Sequence, residues 1–274
     1  MSQQYVVING NYVPVQDAKI HINDLSIQRG YGIFDYFRTK DGQPVFLEDH
    51  LDRFYQSASV MNLPVTQSRE ALKQLITGLI EKNNLPHSGI RITLTGGYSD
   101  NGYNLSSPNL LITQSAYNFS TEAFEKGISL VTYDHQRQLP QVKTIDYLQS
   151  IYLQPFINEH AADDVLYHDR GELRECPRSN FFIVTRDREI ITPAEKILKG
   201  ITRKKILGLE GLGAKEGNIS LDDLRDIREA FIASTTKVVL PVLKIDGKAV
   251  GDGKPGEITR DIYERLIGLR GGVE

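Results

Sequence analysis

Lys143 is the residue around which the chemistry of this chain is most simply organised. Pro140 keeps a helix from entering from the N-terminal side, and Asp146 is placed to cap a helix that follows from Tyr147. We therefore expect Lys143 at a strand-to-helix junction, where the backbone holds the side chain while its amine faces a cleft. Such a lysine can form a Schiff base with an aldehyde cofactor. The same stretch also fits a solvated lysine, one of 32 Lys and Arg residues.

Three other features match the needs of a phosphorylated aldehyde cofactor with a basic ring. The run Gly200-Ile201-Thr202 opens a helix, and backbone N–H groups at such an end suit an anion, although simple capping explains the run equally well. The run Ser234-Thr235-Thr236 offers three hydroxyls at a strand end. Glu175 supplies a carboxylate that could keep a pyridinium protonated, so that the ring acts as an electron sink. Spacing alone does not bring these features together.

Composition excludes several other classes of function. The chain has 274 residues and a net charge of −3 without a long basic run, so we expect no nucleic-acid role. No apolar run approaches the ~20 residues of a membrane span. The N-terminus lacks signal-peptide features, and Cys176 is the single cysteine, which together favour a cytoplasmic protein without an internal disulfide. The six histidines have no metal-binding spacing, so no metal site is expected.

Hairpin and helix signals are mixed along the chain. Asn9-Gly10 predicts a tight hairpin, and apolar periodicity predicts helices over 48–61 and 68–82 and a closing helix over 256–269. Arg53 lies away from the apolar stripe of the 48–61 helix, so periodicity alone predicts a solvated arginine. The mixture predicts an α+β or mixed α/β fold and not a doubly wound sheet.

The length suggests two domains. A smaller N-terminal α/β domain is expected over residues 1–117, and a polar linker over 118–126. A larger C-terminal domain is expected over 127–274. Composition hardly shifts at this boundary.

Five motifs, in order along nearly the whole chain, resemble those of the class IV aminotransferases, the fold-type IV pyridoxal 5'-phosphate (PLP) enzymes. That family includes D-amino-acid transaminases, branched-chain transaminases and aminodeoxychorismate lyases. The motifs that carry the resemblance are Gly32–Asp35, Leu47–Arg53, Lys143–Tyr147, Glu175–Phe182 and Leu198–Arg203. The resemblance implies two domains with PLP between them, the C-terminal one a pseudo-barrel, and a homodimer whose active sites borrow loops from the partner.

The resemblance also implies roles for individual residues. Lys143 would hold PLP through a Schiff base and carry the proton between substrate and cofactor. Glu175 would bond the pyridine nitrogen, and Tyr147 the phenolic oxygen. The remaining implied contacts are Leu198 against the ring and the phosphate ligands Arg53, Ile201, Thr202, Thr235 and Thr236.

Within the family, the 234–236 run and the glycine-rich turns after it look most like D-amino-acid transaminases. The resemblance implies transfer of the amino group of D-alanine or D-glutamate to 2-oxoglutarate or pyruvate by a ping-pong mechanism. An L-branched-chain transaminase is the alternative, favoured by Arg91 and by an aromatic wall of Tyr31, Phe34 and Tyr36. An aminodeoxychorismate lyase and a PLP-binding protein without catalysis are further alternatives.

One departure concerns the substrate carboxylate. Well-known D-enzymes carry an arginine in a Val-Thr-Arg-Gly run, where this chain has Leu94-Thr95-Gly96-Gly97. Another cation must then bind the carboxylate, because an unpaired buried carboxylate is costly. Arg91 on the same strand is one candidate, and Arg29, acting in the other subunit, is a second. Arg178 could reach a side-chain carboxylate. Arg29 and Arg178 fit surface ion pairs as well, and substrate stereochemistry is not fixed by the sequence.

Overall fold

The computed structural model describes residues 3–117 and 122–269, which fall into two compact units. The first unit comprises residues 3–117 and 142–146, and the second 122–141 and 147–269. Residues 118–121 of the expected linker lie outside the described residues. Its remainder forms the helix α4 over Glu122–Lys126, with Phe124 buried.

The first unit is built on one antiparallel sheet. Within the described residues the strands run in the order β2-β1-β6-β5-β3-β4. Its elements are β1 (Tyr5–Ile8), β2 (Asn11–Pro14), α1 (Leu25–Arg29), β3 (Gly32–Lys40), β4 (Gln43–Pro44), α2 (Leu47–Val60), α3 (Arg69–Asn83), β5 (Ser88–Thr95) and β6 (Leu110–Ala116), with a 3-10 turn at Val15–Asp17.

Local sequence signals explain most of these elements. Asn9 and Gly10 both have positive φ, 51° and 87°, which is the geometry of the tight hairpin that joins β1 to β2. The Ser68 side chain caps α3 by accepting from the N–H of Ala71. The short helix α1, capped by Asp24, was not expected, because five residues leave no measurable periodicity.

The core of the first unit lies on one face of its sheet. Leu51 and Phe54 of α2, with Leu72, Ile76 and Leu79 of α3, bury their side chains in this core. The core-facing residues of the sheet are Ile33 and Phe37 of β3, Ile90 and Ile92 of β5, and Ile112 of β6. The other face of β3 and β5 is thus left for functional side chains.

Residues 142–146, expected in the second domain, instead belong to the first unit. Near Gly32 one edge of β3 is paired with β5, while β4 pairs only with the distant end of the strand. The other edge of β3 is open there, and residues 142–146 pair with it. The N–H of Phe34 donates to the Lys143 carbonyl at 2.9 Å, and the N–H of Ile145 donates to the Gly32 carbonyl at 3.1 Å. Long-range strand pairing, which local sequence does not reveal, therefore decides where this segment belongs.

The second unit is built on a larger mixed sheet. Among the described residues the main path is β13-β12-β11-β14-β15-β7-β8-β9, with β10 on β11 and β16 on β15. The strands are β7 (Ile128–Asp134), β8 (Asp164–Asp169), β9 (Glu172–Leu173), β10 (Glu175–Cys176), β11 (Ser179–Thr185), β12 (Ile190–Pro193), β13 (Lys215–Gly217), β14 (Ile227–Ser234), β15 (Val238–Ile245) and β16 (Lys248–Ala249).

The helices of the second unit are α4, α5 (Leu148–Tyr152), α6 (Gln154–Glu159), α7 (Ile201–Leu207) and α8 (Glu257–Leu269), with a 3-10 turn at Asp223–Asp226. The closing helix α8 packs Ile262 and Leu266 against buried Phe182 and Phe231. No helix in the described ranges has the length and apolar character needed to span a bilayer. The mixed α+β architecture agrees with the expected fold class.

The expected cap at Asp146 is wrong. Helix α5 starts at Leu148, its N-cap residue is Tyr147, and no side chain caps it. The backbone of residues 143–145 is still extended along β3, so the chain turns into the helix only after the pairing ends.

Candidate active site

Lys143 is held by its backbone. Its carbonyl accepts from Phe34, and its own N–H donates to the Ser57 hydroxyl at 3.4 Å. Its Nζ lies 4.6 Å from the centroid of the Phe34 ring. The lysine thus has a fixed backbone and an amine directed along the functional face of β3, which is what a Schiff-base lysine needs.

Arg91 lies on the same ring. Its guanidinium carbon is 3.7 Å from the Phe34 centroid, and its Nε donates to the Thr93 hydroxyl at 3.3 Å. The register pairs Arg91 with Tyr36 and Thr93 with Phe34, so these four side chains share one face of the sheet. Phe34 is buried and Tyr36 half-buried. The structure thereby brings together Lys143, Arg91, Phe34 and Tyr36. The third predicted aromatic residue, Tyr31, packs instead against the core of the first unit, and its hydroxyl donates to the Met61 carbonyl at 2.8 Å.

Gly96 explains why the arginine of well-known D-enzymes has no counterpart here. A Cβ at this position would meet Leu25 Cβ at 2.9 Å and the Tyr31 ring at 3.1 Å. The next residue, Gly97, has a φ of +80° and lies against the Ser107 carbonyl. A long side chain at position 96 therefore requires the neighbouring chain to move, whereas Arg91 already lies as a cation on the Phe34 face of the sheet.

Arg53 is not the solvated residue that helical periodicity predicts. Its Nε and Nη2 both donate to the carboxylate of Asp35 at 2.8 Å, and its side chain is 10% exposed. His50 Nδ1 donates to the same carboxylate at 2.7 Å. The arginine reaches back from α2 to an acidic residue on β3, and among the described residues no partner takes its Nη1.

Burial and the neighbouring side chains together determine the protonation states of Asp35 and His50. Burial opposes ionisation of Asp35, but the charge of Arg53 and the hydrogen bonds from Arg53 and His50 outweigh it and hold the pKa of the carboxyl well below its usual range. Burial lowers the pKa of the His50 imidazole, so the ring is neutral near pH 7. Asp35 and His50 were not predicted as site residues, although an acidic residue within the apolar alternation of β3 is a usable signal.

Glu175 lies in β10 with its carboxylate buried in the second unit. The N–H of Leu198 is 3.1 Å from each oxygen, and Asn180 Nδ2 donates to Oε2 at 3.2 Å. Arg137 Nη1 donates to Oε1 at 2.8 Å. Glu175 and Leu198 are therefore adjacent, as a shared ring-binding site requires. Asn180, which lies within the Glu175–Phe182 motif, and Arg137, whose partner is 38 positions away, were not predicted as site residues.

The phosphate-binding candidates of the second unit lie at two chain turns. Gly200 precedes α7, and a Cβ on it would collide with Asn180 Oδ1. Ile201 and Thr202 at the start of α7 are buried. Thr235 and Thr236 follow β14, in a turn closed by the N–H of Lys237 donating to the Ser234 hydroxyl at 3.1 Å.

The remaining residues considered lie at solvent-accessible positions, except for Cys176, which is packed in the core. Tyr147 is half-buried at the start of α5. Arg29 is exposed and donates to the carbonyls of Gly102 and Gln28. Arg178 has 63% of its side chain exposed and lies 4.0 Å from Asp164. Cys176 is buried in the core of the second unit, and burial raises the pKa of its thiol well above the usual range, so it is a packed and neutral side chain.

Comparison with known proteins decides the family. The model of the family described as amino-transferase class IV matches residues 32–245, a range that includes Lys143, Glu175 and Arg53. The chain belongs to the class IV aminotransferases. It is also 30% identical, over 94% of its length and 95% of the relative's, to a D-alanine aminotransferase from Staphylococcus haemolyticus.

Solved class IV aminotransferase structures have the same fold. The branched-chain amino acid aminotransferase of Escherichia coli superposes with a TM-score of 0.89 and 28% identity, over 98% of this chain and 94% of the other. The T.th. branched-chain enzyme, solved with pyridoxamine 5'-phosphate, gives a TM-score of 0.90 at 24% identity, over 99% and 95% of the two chains.

This class IV aminotransferase is a PLP-dependent transferase. Its residues fit the cofactor, since a lysine on a fixed backbone is present and the buried carboxylate of Glu175 already accepts several hydrogen bonds. No group of three or more His, Cys, Asp or Glu side chains in the described ranges is arranged to hold a metal ion.

Proposed function

We propose that this class IV aminotransferase moves the amino group of D-amino acids, such as D-alanine and D-glutamate, to 2-oxoglutarate or pyruvate by a ping-pong mechanism. The observation that carries the transaminase chemistry is the Phe34 ring, which lies against both the amine of Lys143 and the guanidinium of Arg91, an arrangement that suits the D-amino acid and the branched-chain alternatives equally. A cation for the substrate α-carboxylate is thereby placed beside the amine that acts at the substrate Cα. The 30% identity to D-alanine aminotransferases supports the D-amino acid class.

Each cofactor role falls to a residue whose surroundings suit it. PLP, when bound, supplies the aldehyde that takes up the amino group and the ring that withdraws electrons from the substrate Cα. Lys143 would bind the cofactor and carry the proton at Cα. Glu175 would accept a hydrogen bond from the ring nitrogen, and Tyr147 would donate to the phenolic oxygen. Leu198 would pack on the ring, and Arg53, Ile201, Thr202, Thr235 and Thr236 would hold the phosphate.

Arg53 is prepared for the phosphate by its partner. Asp35 takes Nε and Nη2 of the guanidinium, which leaves Nη1 as the nitrogen for a phosphate oxygen. A bidentate carboxylate also fixes the plane of the guanidinium, so little side-chain entropy is lost when an anion binds.

The three substrate arginines have separate roles in this proposal. Arg91 binds the α-carboxylate, assisted by Arg29 from a second copy in a homodimer with shared active sites. Arg178 is exposed and reaches the side-chain carboxylate of a dicarboxylic substrate. Phe34 and Tyr36 form the wall of the substrate pocket. We also propose a cytoplasmic location, which the single reduced Cys176 supports.

An L-branched-chain transaminase is the second candidate. The structural likeness to the Escherichia coli branched-chain enzyme favours it, as do Arg91 and the aromatic side chains on the functional face of β3. A branched-chain substrate needs an apolar pocket and no cation for its side chain, so Arg178 would then have no substrate role.

A half-reaction panel separates these candidates. The holoenzyme is mixed with single amino acids, the D and L forms of alanine, glutamate and leucine, and the absorbance of the lysine-bound cofactor is followed. Loss with D-alanine or D-glutamate and little with L-leucine is expected. Rapid loss with L-leucine alone would replace the proposal by the branched-chain alternative. A cofactor band that responds to no amino acid would point to a lyase, which releases pyruvate from aminodeoxychorismate, or to a protein that only binds PLP.

A further inference from the structure

We propose that Arg137 is a positioning residue, which keeps Glu175 in the form of an oriented carboxylate for the ring nitrogen of bound PLP. The inference rests on the cofactor role that the proposed function gives to Glu175. It does not depend on which amino acid is the substrate. Arg137 lies outside every motif that carries the family resemblance.

The contact is a buried, charge-assisted hydrogen bond. Arg137 Nη1 lies 2.8 Å from Glu175 Oε1, and the two side chains are 18% and 6% exposed. Hydrogen bonds between ionised partners are shorter and about twice as strong as neutral ones. Arg137 therefore has the contact geometry to influence Glu175 directly.

Two further donors, the Leu198 N–H and the side-chain amide of Asn180, orient the Glu175 carboxylate. The Leu198 N–H approaches both oxygens, and Asn180 Nδ2 holds Oε2 while it also donates to the Leu198 carbonyl at 2.7 Å. These neutral donors orient the group, but they add no formal charge. Arg137 adds the positive charge that a carboxylate needs when it leaves water.

The charge state of Glu175 matters because only a carboxylate accepts from a protonated ring nitrogen. Burial without a cation favours the neutral acid, which would donate a proton and no longer stabilise the charged ring. Tyr167 on β8 and Cys176 on β10 interact electrostatically with Glu175. Burial, and next the charge of Asp164, raise the pKa values of Tyr167 and Cys176, so both side chains are neutral near pH 7. Neither of them supplies the positive charge that Arg137 places beside Glu175.

The test measures cofactor binding instead of turnover. The dissociation constant of PLP is determined by titrating apoprotein at pH 8.5 and pH 6.0, for the parent, Arg137→Met and Arg137→Lys. The ratio of the Arg137→Met constant to that of the parent is expected to be about tenfold or more at pH 6.0 and smaller at pH 8.5. The pH dependence arises because Glu175 without its cation takes up a proton as the pH falls. Arg137→Lys restores most of the affinity.

A double-mutant comparison separates action through Glu175 from a general effect on the loop. In a Glu175→Gln background, Arg137→Met is expected to change the PLP constant less than about twofold at either pH. An equal loss of affinity with and without Glu175, or a ratio that is the same at both pH values, would overturn the proposal.

Two controls keep the test independent of folding and of substrate choice. The exposed Arg170, of which 86% of the side chain is accessible, gives the matched variant Arg170→Met, which should bind PLP like the parent. Thermal melting of each apoprotein identifies any variant that fails to fold. If Arg137→Met fails to fold, the same PLP titrations are compared for Arg137→Lys and Arg137→Gln. If the substrate panel fails while this coupling holds, only the proposed substrate class is lost.

Discussion

The guanidinium carbon of Arg91 lies 3.7 Å from the centroid of the Phe34 ring, whose centroid is also 4.6 Å from Lys143 Nζ. One aromatic side chain therefore contacts both a cation suited to a substrate carboxylate and the amine suited to its α-carbon. The register of β3 against β5 makes this possible, because it pairs Tyr36 with Arg91 and leaves Phe34 beside both.

Replacing Phe34 tests whether the ring positions Arg91. A cation–π contact contributes about 0.5–2 kcal/mol, so Phe34→Leu is expected to raise the KM for D-alanine by roughly 2- to 30-fold. Phe34→Tyr keeps the ring and should stay close to the parent. Steady-state kinetics on both variants checks this, and identical behaviour of the two variants would contradict it.

Replacing Arg91 tests the α-carboxylate site itself. Truncating one partner of a buried charge pair costs about 2–5 kcal/mol, so Arg91→Ala should lower kcat/KM for every amino acid by at least about 30-fold. Absorbance of the lysine-bound cofactor should show that PLP still binds. Unchanged activity on all amino acids would remove Arg91 from the site.

Introducing an arginine at Gly96 tests why this chain differs from the well-known D-enzymes. The close approach of Leu25 and Tyr31 predicts that Gly96→Arg lowers the free energy of unfolding by about 1–3 kcal/mol, measured by urea denaturation. The variant Arg91→Ala/Gly96→Arg should not regain activity on D-alanine. A double variant as active as the parent would show that position 96 accepts a carboxylate-binding arginine.

Arg178 should act only on substrates with a second carboxylate. Because its side chain is 63% exposed, the expected loss for Arg178→Ala is modest, about 1.5- to 5-fold in kcat/KM for D-glutamate. D-Alanine should react as with the parent enzyme. An equal loss with both amino acids would assign Arg178 to the structure of its loop.

The buried group around Asp35 predicts acid sensitivity in two steps. His50 has a lowered pKa when folded, so stability falls as the pH drops below the unfolded value of about 6.5, by at most ~1.4 kcal/mol per pH unit for one proton. Asp35 also has a lowered pKa, so its contribution is complete above about pH 4 and is lost as the pH falls further.

The first step is measured with His50→Asn, whose amide keeps a donor for Asp35. Urea unfolding between pH 7.5 and 5 should give a smaller slope of unfolding free energy with pH for this variant than for the parent. The same slope in both proteins would show that His50 is not the group that titrates.

Local patterns predicted much of the fold. The Asn9-Gly10 turn predicted the first hairpin, and the apolar stripe that includes Leu51 and Phe54 predicted α2. Both predictions depend only on residues that are close together in the sequence. Lys143 was placed at a strand-to-helix junction, but its attachment to β3 depends on pairing with residues more than a hundred positions away. Periodicity has no information about such partners.

The site residues likewise divide into those with a local sequence signal and those without one. Helical periodicity alone predicted a solvated Arg53, because a helical pattern describes the direction of a side chain and not the carboxylate of Asp35 that it reaches. Arg137 has no local sequence signal, since the residue it contacts, Glu175 on β10, lies 38 positions away. Family motifs predicted the cofactor residues, whereas the contacts that orient those residues became visible only in three dimensions.

The central claim is tested most directly by giving the enzyme racemic alanine with 2-oxoglutarate. Chiral chromatography then follows both alanine enantiomers and the glutamate that is formed. The proposed function predicts that D-alanine disappears, L-alanine stays constant and D-glutamate accumulates in equal amount. Consumption of L-alanine with formation of L-glutamate, while D-alanine stays constant, would contradict it.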